Sequence, residues 1–216
     1  MINLGKKHIT MNRILEQKIV VIIRTSYIEK IFSIIDSVLE GGLNIIELSM
    51  STKKSLSLLE KIKTKYENKI IFGAGTVLDS ETARIAILNG IEFIVTPNTD
   101  KKTIELCNKY SIVKAIGALT PTEVINAWEM GADFIKIFPA NVFGPDYIKT
   151  LKGPYPDLSF IPTGYVDIKN AKSYMQAGAA AVAVGGGIFT EEMVASNDFK
   201  AIVKNSKQLV EIMNSL

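Results

Sequence analysis

The chain has 216 residues, 47% of them apolar, with 25 basic against 22 acidic side chains and a formal charge of +3. That length and composition build a sizeable core without disulfide staples. A single cysteine, Cys107, excludes an intrachain disulfide and cysteine-cluster metal sites, while a single histidine, His8, argues against a Ser-His-Asp triad or a multi-histidine zinc centre.

The basic excess is spread along the chain, its densest runs being Lys53-Lys54 and Lys101-Lys102, so no nucleic-acid partner is expected. The first segment, MINLGKKHITMNRILEQ, is polar and reads as a short N-terminal helix rather than a signal peptide. Nowhere do about 18 apolar residues run together, and the expectation is a cytoplasmic protein with no membrane partner.

Eight short apolar, β-branched runs then follow in order. They occupy residues 18–24, 44–50, 69–76, 91–97, 111–117, 132–138, 158–164 and 180–186. Amphipathic stretches separate them, at 29–40, 52–66, 80–89, 99–109 and 121–130, several opened by Ser, Thr or Asp. Alternation of strand and helix predicts a parallel sheet, because parallel strands need helical crossovers. Eight such units fit a (β/α)8 barrel of the TIM type. The competing architecture is a doubly wound open sheet, which usually shows a glycine fingerprint after its first strand; here that strand ends IIRTSY, with no glycine. With no linker or shift of composition, residues 1–216 are expected to form one domain.

Active sites of such barrels gather at the carboxyl ends of the strands, so late, inward polar residues are the candidates. In ADFIKIF the alternation sets Phe134, Lys136 and Phe138 against Ile135 and Ile137. In NIIELSM it sets Ile45, Glu47 and Ser49 against Ile46 and Leu48. Lys136 and Glu47 therefore both belong on one barrel interior. One reading is a structural ion pair, or a lysine snorkelling to solvent. The other is catalytic: desolvation lowers a lysine's pKa, and the free amine attacks a ketone while the carboxyl group shuttles protons.

Glycine-rich strand ends supply backbone donors for an anion. FGAGT ends the third run, PTGY the seventh and VGGG the eighth, and barrels commonly hold phosphate at their seventh and eighth loops. Gly164, Gly185, Gly186 and Gly187 are the candidate positions, with Arg24 as a further cation.

Glu47 in IIELSMST, GAGTV at 73–77, TPN at 96–98, IGALTPTE at 116–123, IKIFPA at 135–140 and PTG at 162–164 stand in an order that resembles the bacterial 2-keto-3-deoxy-6-phosphogluconate / 4-hydroxy-2-oxoglutarate aldolases. The likeness runs from about residue 10 to the end. It implies a class I aldolase on a TIM-like barrel, usually a homotrimer, that uses no metal or cofactor and releases pyruvate and an aldehyde from its keto-acid substrate. Lys136 then matches the Schiff-base lysine and Glu47 the general acid/base. Thr76 and Thr163 match residues that hold the pyruvyl carboxylate and hydroxyl groups, and Pro97 and Phe138 shape the pocket. Three positions depart from the pattern. Tyr165 stands where many members have glycine, so that its phenol, if turned inward, fills room meant for phosphate. Gly187 lacks a hydroxyl, and Ser51, a candidate substrate-binding residue, stands where some members have arginine. A non-covalent phosphosugar epimerase or decarboxylase, or a non-catalytic sugar-phosphate-binding relative, would fit the same barrel.

Overall fold

A computed structural model describes residues 5–216; the first four residues of the polar N-terminal segment lie outside it. The strands are β1 (Ile19–Ile23), β2 (Ile45–Ser49), β3 (Ile71–Gly75), β4 (Phe93–Val95), β5 (Val113–Ala118), β6 (Phe134–Ile137), β7 (Phe160–Pro162) and β8 (Val182–Val184). All pair in parallel, in the order β7-β6-β5-β4-β3-β2-β1-β8. A lone parallel bridge from Thr163 to Ala183 joins the two ends of that order and closes the ring. The sequence-predicted (β/α)8 barrel is the observed fold, with seven strands falling inside their predicted runs and β5 extending one residue beyond its run, to Ala118.

Ten helices accompany the strands among the described residues: α1 (Lys6–Gln17), α2 (Ile31–Glu40), α3 (Ser55–Lys65), α4 (Ser80–Leu88), α5 (Lys101–Lys109), α6 (Pro121–Glu129), α7 (Pro145–Lys152), α8 (Ala171–Gln176), α9 (Glu191–Ala195) and α10 (Phe199–Asn214). Their starts follow local chemistry. Asp79 accepts the Thr82 N–H at 2.6 Å and Asp100 the Thr103 N–H at 2.8 Å. Thr120 and Glu123 form a capping box around Pro121. These caps satisfy N–H groups that the first helical turn leaves free. The predicted start of α2 at residue 29 differs, because Ile28–Lys30 wind into a tighter 3-10 turn. None of the described helices is long and apolar enough to cross a membrane.

Two apolar layers result from strand alternation. Ile46, Leu48, Ile135 and Ile137 face the helices, whereas Ile45, Phe93, Val95, Phe134 and Ile161 fill the lumen. Ile14 of α1 joins the luminal layer and stoppers its amino end. His8 is exposed on the same helix, remote from the strands' carboxyl ends.

A second lysine sits inside an apolar strand. Lys114 of β5 is fully buried, but between Val113 and Ala115, which face the lumen, its side chain turns to the helix layer. Its Nζ donates to Asp133 at 3.1 Å, and Lys7 of α1 reaches the other oxygen of that carboxylate at 2.7 Å. This triad ties α1 to the barrel wall, which is a structural use of a buried charge.

Candidate active site

β2 and β6 bring Glu47 and Lys136 to the upper end of the lumen, where they line one cavity with Val95, Ala115 and Thr163. Both are buried, at 1% and 5% exposure. No direct ion pair joins them, as none of the ion pairs among the described residues involves either. The Glu47 Oε2 atom is buried without a hydrogen-bond partner among the described residues, an arrangement that a purely structural carboxylate does not tolerate cheaply.

Burial governs both titrations. It raises the Glu47 pKa from 4.5, with the Lys136 charge opposing, and it lowers the Lys136 pKa from 10.5, with Arg24 adding to the shift and Glu47 opposing it. The pair is driven toward a neutral acid and a neutral amine. One is a proton donor and the other a nucleophile.

Glycine makes room for this geometry. A Cβ at position 75 would overlap the Glu47 carboxyl group, so the absence of a side chain on β3 is what lets Glu47 lie flat across its neighbour. Gly75→Ala should push Glu47 from its place, lowering stability by about 1–3 kcal/mol through overpacking and reducing turnover with it. Urea denaturation and steady-state rates of the variant check both.

The remaining candidates sit around the mouth. Thr76 follows β3 with φ +56, a rare conformation for a β-branched residue. Its hydroxyl meets that of Ser49 at 2.9 Å, and Ser49 in turn meets the exposed Ser51 at 2.8 Å. Ser49 was not among the sequence candidates, although it lies on the same strand face as Glu47. Pro97 is half-buried in a turn pinned by Thr96, whose hydroxyl accepts the Gly117 N–H at 3.1 Å. The Phe138 ring is partly exposed, with its centroid 5.1 Å from the Lys136 Nζ, and a Cβ at position 164 would rest against it at 3.5 Å. Thr163 is buried beside Lys136, and Arg24 is exposed at the end of β1.

Tyr165 does not fill the distal site. Its ring is 82% exposed and its φ of +56 is the backbone conformation a glycine would take, which keeps the amide in place while the phenol turns to solvent. The N–H groups of Tyr165, Gly186 and Gly187 donate to no acceptor among the described residues. At Gly187 no hydroxyl-bearing side chain fits this backbone, since a Cβ would lie 2.7 Å from both the Asp167 Cα and the Val166 carbonyl oxygen. Gly186 faces open space. Among the described residues, no three His, Cys, Asp or Glu side chains converge to hold a metal ion.

A barrel with a buried lysine and a buried carboxyl group facing one cavity, and free amides at its seventh and eighth loops, has the makings of a lyase that works on small keto acids. The family model for KDPG and KHG aldolases matches residues 10–205, and the chain belongs to that family. It is 29% identical over 205 residues to the 2-dehydro-3-deoxy-phosphogluconate aldolase of Haemophilus influenzae, covering 94% of this chain and 96% of that one. It is 32% identical over 156 residues to the 2-dehydro-3-deoxy-6-phosphogalactonate aldolase of Escherichia coli, covering 72% and 76%. The KDPG aldolase of Legionella pneumophila, whose structure holds pyruvate as a covalent carbinolamine, shares the fold with a TM-score of 0.85 at 21% identity, over 94% of this chain and 97% of that one.

Proposed function

We propose that the chain is a Schiff-base aldolase that cleaves 2-keto-3-deoxy-6-phosphogluconate, or a closely similar 2-keto-3-deoxy acid, to pyruvate and glyceraldehyde 3-phosphate. Activity toward 4-hydroxy-2-oxoglutarate is part of the same proposal. The observation that carries it is the pairing of Lys136 and Glu47, both buried at one cavity and both displaced toward their neutral forms.

In this reading the Lys136 amine adds to the keto carbon C2, and loss of water from the carbinolamine leaves an imine. Glu47 relays the protons of that dehydration. Removal of the C4 hydroxyl proton breaks the C3–C4 bond, whose electron pair passes into the imine to give an enamine as the aldehyde departs. Protonation at C3 and hydrolysis return pyruvate and the free amine. Thr76 and Thr163 hold the pyruvyl end with Ser51 nearby, Pro97 and Phe138 shape the walls, and Gly164 and Gly185–Gly187 with Arg24 receive the phosphate. Borohydride reduction in the presence of pyruvate tests the reading, since only an imine is trapped as a stable amine adduct. An enzyme that turns over substrate but traps nothing would instead be the non-covalent epimerase or decarboxylase.

The outward ring of Tyr165 bears on substrate choice. Tyr165→Gly should leave the ratio of kcat/KM for phosphorylated and unphosphorylated 2-keto-3-deoxygluconate unchanged, while relief of the left-handed conformation raises stability by about 1 kcal/mol. Paired kinetics and urea denaturation give the answer, and a changed ratio would return the phenol to the phosphate site.

The proposed assembly is a homotrimer in the cytoplasm. Exposed apolar side chains such as Val142, Phe143 and Trp128 support association, and the buried free thiol of Cys107 suits a reducing setting.

A further inference from the structure

The segment that follows β1 is fastened to α9 at both ends of that helix. Glu191, its first residue, accepts a hydrogen bond from the backbone N–H of Ser26 at 3.2 Å and another from the Ser26 hydroxyl. At the opposite end the Lys30 Nζ donates to the carbonyl oxygens of Val194 and Ala195, at 2.9 and 3.0 Å. These donors satisfy carbonyls that the helix end leaves free. Two anion-binding candidates lie at the Glu191 fastening: Arg24 stands two residues before Ser26, and the Gly185–Gly187 loop runs into the start of α9. Gly187 is in turn pressed against Val166 and Asp167 of the seventh loop.

Glu191 also feels Arg24. Burial opposes its ionisation, but hydrogen bonds from Ser26 and Thr25 and the nearby guanidinium hold its carboxyl below the usual range.

We infer that Glu191 is a positioning residue for the substrate's anionic end, holding the Arg24–Ser26 segment against the Gly185–Gly187 loop so that the guanidinium and the loop amides address the same phosphate. The inference rests on the aldolase reading above and adds to it a residue that touches neither substrate nor reacting atoms. Glu191 works by prepaying order: without it the Arg24 segment must be fixed at each binding event, which weakens binding without altering the chemistry at Lys136. The effect should therefore appear in KM and only for substrates that carry the distal charge.

The experiment measures kcat and KM of wild type, Glu191→Ala, Glu191→Gln and Ser26→Ala with phosphorylated and unphosphorylated 2-keto-3-deoxygluconate, alongside borohydride trapping with pyruvate. Glu191→Ala should raise KM for the phosphorylated acid about tenfold with kcat unchanged, the scale of one lost charge-assisted hydrogen bond. KM for the unphosphorylated acid should stay as it was. Glu191→Gln, which keeps an acceptor oxygen, should recover most of the loss. Ser26→Ala removes one of the two bonds from an exposed residue and should give a smaller loss of the same kind, which keeps the test valid if Glu191→Ala does not fold. A normal pyruvate adduct with an unchanged KM in both Glu191→Ala and Ser26→Ala overturns the inference, as does an equal rise of KM for both substrates. Failure of the wild type to form any adduct overturns the aldolase reading and the inference with it.

Discussion

Lys136→Met is expected to abolish turnover and, in parallel, to remove the pyruvate adduct that borohydride fixes in the wild type, with mass spectrometry locating that adduct on Lys136. Methionine keeps much of the stem volume, so the luminal packing around Phe134 survives the change. The wild-type amine carries a desolvation penalty that no direct ion pair repays, and the variant should lose none of its resistance to urea. The second buried lysine supplies the internal comparison: Lys114 has a carboxylate partner at 3.1 Å, faces away from the lumen, and should remain unlabelled. An adduct on any other lysine would reassign the nucleophile. Because burial depresses the Lys136 pKa, the limb of kcat/KM that rises with pH should be centred below the ordinary 10.5.

Glu47→Gln should cut kcat by about 10² to 10⁴, the usual contribution of a positioned general acid/base. The amide matches the carboxyl group in shape and fits over Gly75, and it cannot exchange a proton with the carbinolamine or the enamine. Stability should change little near neutral pH or rise slightly. Its sign follows from the raised pKa: the folded state holds the Glu47 proton more tightly than the unfolded chain, so its contribution is complete below pH 4.5 and is lost as pH climbs through the folded-state value. Glutamine carries no such loss, and the variant's advantage in urea midpoint should widen toward alkaline pH. A variant with wild-type kcat would move the proton relay to water or to another group.

Both residues were legible because a strand in a closed parallel barrel is apolar on both faces, so a single charge in NIIELSM or in the FIKI stretch of β6 stands out whichever way it points. Which way it points is another matter. SIVKAIG carries Lys114 in much the same local setting as Lys136, yet one serves the wall and the other the cavity, and only the register of the finished sheet separates them. The turned-out ring of Tyr165 depends on a φ of +56 that a Pro-Thr-Gly-Tyr run does not announce. Ser26 and Glu191 meet across a sequence separation of 165, a distance over which local pattern carries no signal. Ser49 shares the strand face of Glu47 by the same alternation, but a neutral serine at a strand end carries no charge to mark it out from the sequence.

β2 and β6 stand four strands apart whichever way the ring is counted, which sets Glu47 and Lys136 on opposite ends of a diameter. Their spacing is therefore a dimension of the whole circumference, fixed by strand number and tilt rather than by any loop. Substitutions at the mouth retune what enters, while the reach between amine and acid changes only if the ring loses its roundness. A bulky residue forced into the lumen beside Ile14, which lines the same cavity from its amino end, can alter that reach without any change at the mouth.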